Sequence, residues 1–113
     1  MKNLILISIL FFAGNKIKAQ MITTTLSVKG NCEMCKKRIE NAADIKGVKN
    51  CNWDEKTKIA TITYSSDKTS MVEIEQAIAK KGYDTESAKA DEAAYKKLPK
   101  CCQYRTNVCD DKK

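Results

Sequence analysis

Four segments of the chain show the composition or alternation that is typical of β-strands. Residues 22–29 are rich in threonine and β-branched side chains, and a glycine and an asparagine end the segment. Residues 48–53 and 58–64 form two further strand patterns on either side of a polar turn. A weaker pattern at 83–89 predicts a fourth strand.

Two other segments follow the helical period. Residues 34–44 bring small and apolar side chains near one face, and residues 71–81 do so with a clearer apolar stripe. Ser70 precedes the second segment and Glu73 stands three residues later, which predicts a capping box at the helix start. Gly82 stands where a helix C-terminal glycine is preferred.

The predicted order of elements is β-α-β-β-α-β. This order indicates an α+β protein with a ferredoxin-like fold, in which two helices pack on one face of a four-stranded antiparallel sheet. A length of 113 residues allows one small domain of this kind. The remaining C-terminal extension, residues 90–113, contains a short predicted helix that Asp91 would cap and Pro99 would stop.

The first residues have the features of a secretory signal peptide, predicted over 1–19. Lys2 gives a positive start, residues 4–13 are apolar except for one serine, and Ala19 offers a small residue for cleavage. An uncleaved anchor is the alternative, although the apolar run is about half of the ~20 residues that a membrane helix needs. We therefore expect a periplasmic or secreted protein without a membrane span in the mature chain.

Charge and residue usage narrow the possible functions. Loss of the three lysines in residues 1–19 would lower the formal charge from +7 to +4, and this small surplus does not argue for nucleic-acid binding. The chain has no histidine, which excludes Ser-His-Asp and Cys-His catalysis and histidine-ligated zinc or copper. It has six cysteines, so a disulfide-stapled domain is a competing interpretation for an exported protein.

The main chemical feature is a Cys-x-x-Cys motif formed by Cys32 and Cys35. These residues fall at a predicted junction between a loop and a helix, where the partial positive charge of the helix N-terminus favours thiolate. Thiolates bind soft ions such as Cu(I). A thiol-disulfide pair is the alternative, and Met34 between the two cysteines is predicted to be a solvent-side or core-edge residue, with a thioether ligand as the other possibility.

Three segments of the sequence, taken together, indicate a protein family more specifically than the Cys-x-x-Cys motif does alone. The chain resembles the heavy-metal-associated domain family, which includes copper chaperones, modules of copper-exporting ATPases and a periplasmic mercury-binding protein. The usual motif of that family is Gly-Met-Thr-Cys-x-x-Cys, and this chain has the glycine and both cysteines but is one residue shorter and lacks the Met and Thr. The resemblance covers about residues 22–87 and rests on Val28-Lys29-Gly30-Asn31-Cys32-Glu33-Met34-Cys35, Ile45-Lys46-Gly47-Val48 and Ala77-Ile78-Ala79-Lys80-Lys81-Gly82-Tyr83.

The resemblance implies a heavy-metal-associated domain over residues 20–89. It also implies a metallochaperone function, in which one soft ion, Cu(I) or Hg(II), is bound by a cysteine pair and passed to a transporter or chaperone. Lys81 and Tyr83 would lie close to the metal loop. Because ion transfer makes and breaks no bond in a substrate, the protein is not expected to be an enzyme.

The other cysteines have separate predicted roles. Cys51 shares a strand face with Trp53 and is predicted to act as a small buried hydrophobe. Cys101 and Cys102 are predicted to join Cys32 and Cys35 as metal ligands, since the helix of the extension could carry the chain back towards the loop. A disulfide within the extension, for example to Cys109, stays open, as does a redox or disulfide-stapled function for the whole protein.

Overall fold

The computed structural model describes residues 20–106. The predicted signal peptide and Cys109 therefore lie outside the described residues. Three strands, three α-helices and a short 3₁₀ helix follow one another in this range. They are β1 (Met21–Ser27), α1 (Glu33–Ala42), β2 (Val48–Trp53), β3 (Ile59–Ser65), α2 (Met71–Lys80), α3 (Glu92–Lys96) and the 3₁₀ helix Lys100–Cys102.

Strand β3 lies in the centre of an antiparallel sheet with the order β1-β3-β2. Alternate residues of β3 are buried, as the sequence predicts, and Ile62 is completely inaccessible to solvent. Ile62 is paired with Thr24 of β1 and with Cys51 of β2. The buried face of the strand packs with apolar side chains from both long helices in one core, so the strand faces are assigned correctly from the alternation.

The predicted boundaries of the two long helices are confirmed to within two residues. Ser70 is the N-cap of α2, and its hydroxyl accepts a hydrogen bond of 3.3 Å from the Glu73 N–H. The Glu73 carboxylate accepts instead from the Thr69 hydroxyl at 2.8 Å, so only half of the predicted capping box forms. Gly82 follows the helix with φ of +106°, a conformation that glycine adopts without strain.

The prediction of a fourth strand is wrong for the described residues. After α2 a single antiparallel bridge joins Val28 to Thr85, and the sheet has three strands. The reason is that side-chain carboxylates accept hydrogen bonds that the backbone carbonyls of a neighbouring strand would otherwise accept. The Glu86 carboxylate accepts from the Ser27 N–H at the edge of β1, and the Glu75 carboxylate accepts from the Thr85 hydroxyl and the Ser87 N–H. These contacts fold residues 85–88 into a turn.

The described part of the extension, residues 90–106, packs on the domain. Asp91 caps α3 as predicted, accepting a hydrogen bond of 3.0 Å from the Ala94 N–H. The backbone of α3 lies so close to Gly82 that a Cβ atom there would be 3.0 Å from the Ala94 carbonyl carbon. Tyr95 and Leu98 are buried in the main core. In the part of the chain described, no helix is long and apolar enough to cross a membrane.

Candidate metal centre

Trp53 packs between the core and the loop that carries the Cys-x-x-Cys motif, and it holds the loop in place. The indole Nε1–H of Trp53 donates to the Val28 carbonyl at 2.9 Å, and the indole is 1% exposed. Gly30 passes directly over this ring, since a Cβ there would be 3.0 Å from both the Trp53 ring and the Ile39 side chain. The motif glycine is therefore required by close packing between the loop and the core.

The two motif cysteines take the positions predicted for them at the start of a helix. Cys32 is the N-cap residue of α1, and Cys35 lies in the first turn. Both side chains are buried, with 7% and 0% exposure. A loop with two thiols at the surface of the domain would be expected to expose them. They are buried because the extension packs over the loop.

The 3₁₀ helix Lys100–Cys102 covers the motif loop. The Asn31 side-chain N–H donates to the Cys101 carbonyl at 3.0 Å, which ties the loop to the extension. This contact brings Cys102, which is 0% exposed, beside the motif cysteines. The thiol sulfurs of Cys32, Cys35 and Cys102 all lie within 4.8 Å of one another.

The separation of these three sulfurs suits a metal ion. Three sulfurs around one ion at about 2.3 Å each would be about 4 Å apart in a trigonal arrangement. The three sulfurs lie within 4.8 Å of one another, so they can reach this separation if the side chains shift by less than about 1 Å.

The protonation state of the site is set by burial. The five cysteines of the described residues are present as thiols, and burial strongly raises the pKa of Cys102, with a further contribution from neighbouring Cys35. A bound cation would remove much of this penalty for thiolate.

Tyr83 adds a polar group to the wall of the site, close to the thiols as the family resemblance implies. Its side chain is 0% exposed, and its hydroxyl makes no hydrogen bond of ordinary length within the described residues. Burial strongly raises the pKa of this hydroxyl, and Cys35 and Cys102 raise it further, so the phenol stays protonated. An unpartnered buried O–H near two thiols can donate to a thiolate, which fits a site that becomes anionic when it binds a cation. Lys81 lines a groove with Arg38 and Tyr83.

Two side chains of the extension hold it in place over the loop. The Tyr104 ring stacks on Tyr83 at 5.8 Å, and its hydroxyl donates to the Gly82 carbonyl at 2.9 Å and accepts from the Asp84 N–H at 2.8 Å. The Arg105 guanidinium forms paired hydrogen bonds to the Asp84 carboxylate at 2.9 and 3.2 Å. It also donates to both oxygens of the Glu92 carboxylate at 2.9 Å.

These two anchors were not predicted from the sequence. Tyr104 and Arg105 stand two and three residues after the cysteine pair, but nothing local in the sequence indicates which partners they contact. Those partners lie 13 to 22 residues earlier in the chain, and only the packing of α3 on Gly82 brings them together. Tyr104 and Arg105 are therefore functional candidates that the tertiary structure adds.

The other two cysteines of residues 20–106 lie outside the three-thiol group. The Cys101 sulfur is 4.0 Å from that of Cys102, but it contacts the Met34 sulfur at 3.6 Å, so its role as a ligand stays a prediction. Cys51 is partly buried against the core, where burial, with Glu40 adding to it, raises the pKa of its thiol to about 11. An uncharged thiol agrees with the hydrophobic part of the predicted role, but Cys51 is only half-buried where a buried residue was predicted.

The comparisons with known proteins identify the family. The sequence model of the heavy-metal-associated domain matches residues 24–84. This range is more than half of the 113 residues, and the chain therefore belongs to the heavy-metal-associated domain family. The matched range ends before Cys101 and Cys102, so the extension lies outside the family match.

Solved structures of similar fold include a metallochaperone, the protein MerP and a region of a P-type ATPase. The CopZ metallochaperone is 27% identical with a TM-score of 0.55, and the match covers 57% of this chain and 98% of that one. Oxidized MerP from Ralstonia metallidurans CH34 is 30% identical with a TM-score of 0.56, covering 59% and 96%. The water-soluble region of the P-type ATPase CopA from Bacillus subtilis is 26% identical with a TM-score of 0.55, covering 59% and 46%. A comparison with curated protein sequences finds no match.

Proposed function

We propose that the protein binds one soft metal ion, Cu(I) or Hg(II), through the thiolates of Cys32, Cys35 and Cys102. The observation that carries this proposal is the convergence of three buried thiols within 4.8 Å. Thiolates are soft ligands and select soft ions. Membership of the heavy-metal-associated domain family supports the same function.

The donor set favours a soft ion over zinc. Structural zinc sites are usually closed by four cysteine or histidine ligands. Within residues 20–106 the candidate group contains three cysteines and no carboxylate, and the whole chain has no histidine. Cu(I) and Hg(II) accept two or three sulfurs, so the group is complete for them and incomplete for zinc.

The ion is the cargo of this protein, and the proposed activity is its transfer. A partner's thiols would replace those of the site one at a time, and no bond in a substrate would be made or broken, so the protein is not an enzyme in this proposal. The named neighbours CopZ and CopA support a partner that is itself a metal chaperone or a transporter. The proposed location is the periplasm or the outside of the cell, on the strength of the predicted signal peptide at 1–19, and N-terminal sequencing of the exported protein tests it.

The extension gives this site a property that an open cysteine pair lacks. Cys102 supplies a third thiolate beside Cys35, and both side chains are 0% exposed. A third sulfur and a closed surface both slow the loss of an ion. We therefore propose that the protein retains its ion until a partner displaces the extension or captures the ion at its edge.

Native mass spectrometry tests the proposal. Reduced protein would be offered Cu(I), Hg(II) and Zn(II) in competition, and one Cu(I) or Hg(II) is expected to bind. The double variant Cys32→Ser, Cys35→Ser should lose tight binding and keep its fold, while Cys51→Ser serves as the matched control. X-ray absorption on the Cu(I) form should give three sulfurs, and two after Cys102→Ser. Unchanged affinity in the double variant would contradict the proposal.

Thiol-disulfide chemistry is the second candidate. Three thiols this close could also form a disulfide, and the neighbour MerP was solved in an oxidized form. Counting thiols after mild oxidation separates the two functions. A redox protein is expected to lose two thiols reversibly at a defined potential, with or without Cu(I). A metal-binding protein is expected to keep them when Cu(I) is present.

A further inference from the structure

A second group of sulfur atoms lies outside the three-thiol site. The Cys101 sulfur contacts the Met34 thioether at 3.6 Å, and Met34 is 48% exposed. Met34 lies in the first turn of α1, and Cys101 lies in the 3₁₀ helix that covers this turn. The two most solvent-accessible sulfurs near the site are thus held together by the same packing that buries the site.

The sulfurs of Met34, Cys101 and Cys102 form a continuous series from the surface to the motif thiols. Cys101 is 4.0 Å from Cys102, and Cys102 lies within 4.8 Å of both motif thiols. Two metal–sulfur bonds of about 2.3 Å span about 4.6 Å. An ion can therefore move along the series while it stays bound to at least one sulfur, with small side-chain shifts.

The buried site needs such a route, because Cys35 and Cys102 are both 0% exposed. A neutral thioether beside one thiolate binds more weakly than three thiolates do, which suits temporary binding. We propose that Met34 and Cys101 form an outer binding site through which a soft monovalent ion, Cu(I) or Ag(I), enters and leaves the three-thiol site. This inference rests on the proposed function and adds the route to it.

The transfer is balanced without a redox partner. When the ion binds outside, the Met34 thioether forms one metal–sulfur bond, and the Cys101 thiol releases its proton to water and forms a second. The bond to Met34 breaks as a bond to Cys102 forms, and Cys102 releases its proton. When the ion moves fully inward, Cys32 and Cys35 release their protons to water and bind it, the bond to Cys101 breaks, and Cys101 regains a proton from water. The ion keeps its +1 charge throughout.

Exchange kinetics test the outer site. Met34→Leu keeps the volume and removes the sulfur, and Met21→Leu is the matched control because Met21 is 50% exposed. Loading of Cu(I) from a coloured chelator and its return should both slow about tenfold in Met34→Leu, equivalent to about 1.4 kcal/mol in the barrier. Cys101→Ser should slow both steps at least as much, and Met21→Leu should exchange like the unmodified protein. Equal rates for Met34→Leu and Met21→Leu would overturn the inference.

Binding at the outer site has its own spectroscopic readout. With ¹³C-labelled methionine methyl groups, Ag(I) added beyond the first equivalent should shift the Met34 signal and leave those of Met21 and Met71 in place. A Met34 signal that stays fixed would contradict the outer site even if one ion binds tightly inside. Failure of the unmodified protein to take up any soft ion would instead contradict the proposed function.

Discussion

Arg105 is the side chain whose loss should most clearly open the metal centre. Its guanidinium joins Asp84 of the domain to Glu92 at the start of α3, and lies 4.4 Å from the centre of the Tyr95 ring. Because it stands three residues after Cys102, these contacts hold the 3₁₀ helix over the motif loop. Arg105→Gln removes the charge and the ring contact and keeps a polar side chain.

The expected magnitude follows from how exposed these contacts are. The Arg105 and Asp84 side chains are 27% and 18% exposed, so this ion pair contributes more to the free energy of closure than an ordinary surface pair would. Glu92 is 54% exposed, so its pair contributes at the low end of about 0.2–1 kcal/mol. The contact with Tyr95 adds about 0.5–1 kcal/mol. We expect Arg105→Gln to weaken closure by about 1–2 kcal/mol, which increases the open population about fivefold to thirtyfold.

Thiol alkylation measures this population directly. Cys35 and Cys102 are inaccessible in the closed form, so their labelling by iodoacetamide, followed by peptide mass spectrometry, reports opening when closing is fast. Arg38→Gln is the control, since Arg38 is an exposed arginine on α1 outside the extension. Identical labelling rates at Cys35 in the unmodified protein and in Arg105→Gln would refute the idea that this anchor holds the extension closed.

Two further predictions concern the fold. Ile62→Ala should destabilise the protein by about 2–5 kcal/mol in urea denaturation, because Ile62 is fully buried; Thr61→Ala, on the exposed face of the same strand, should cost much less. Burial alone would raise the pKa of Asp84, but hydrogen bonds from Arg105 and the Ala90 N–H outweigh it and hold the pKa below its usual value. The carboxylate therefore adds stability above about pH 4, which is lost as the pH falls through its folded-state pKa. The stability advantage over Asp84→Asn should accordingly shrink on acidification; an advantage that stays constant down to pH 2 would contradict this assignment.

The sequence by itself determined the local structure and the centre of the candidate site. Alternation predicted β1, β2 and β3 because one face of each strand packs on the helices, and the helical period with its caps predicted α1 and α2 for the same reason. The position of Cys32 and Cys35 at a helix start follows from local chain geometry, since the N-cap and the first turn are neighbours in sequence. These features depend on contacts between residues that are close in sequence, or on the burial of one face of a strand or helix. Each of these causes leaves a recognisable local pattern of residue types in the sequence.

Only the tertiary structure decided the features that depend on contacts between distant segments. The segment predicted as a fourth strand is a turn, because carboxylates from Glu75 and Glu86 take the hydrogen bonds that a strand partner would have made. Cys101 and Cys102 are equivalent in the sequence, yet packing directs Cys102 towards the motif thiols and Cys101 towards Met34. That difference arises from the direction of a single 3₁₀ turn. The turn is held by Tyr104 and Arg105, whose partners lie 13 to 22 residues earlier in the chain, and contacts at such separations leave no periodic signal in the sequence.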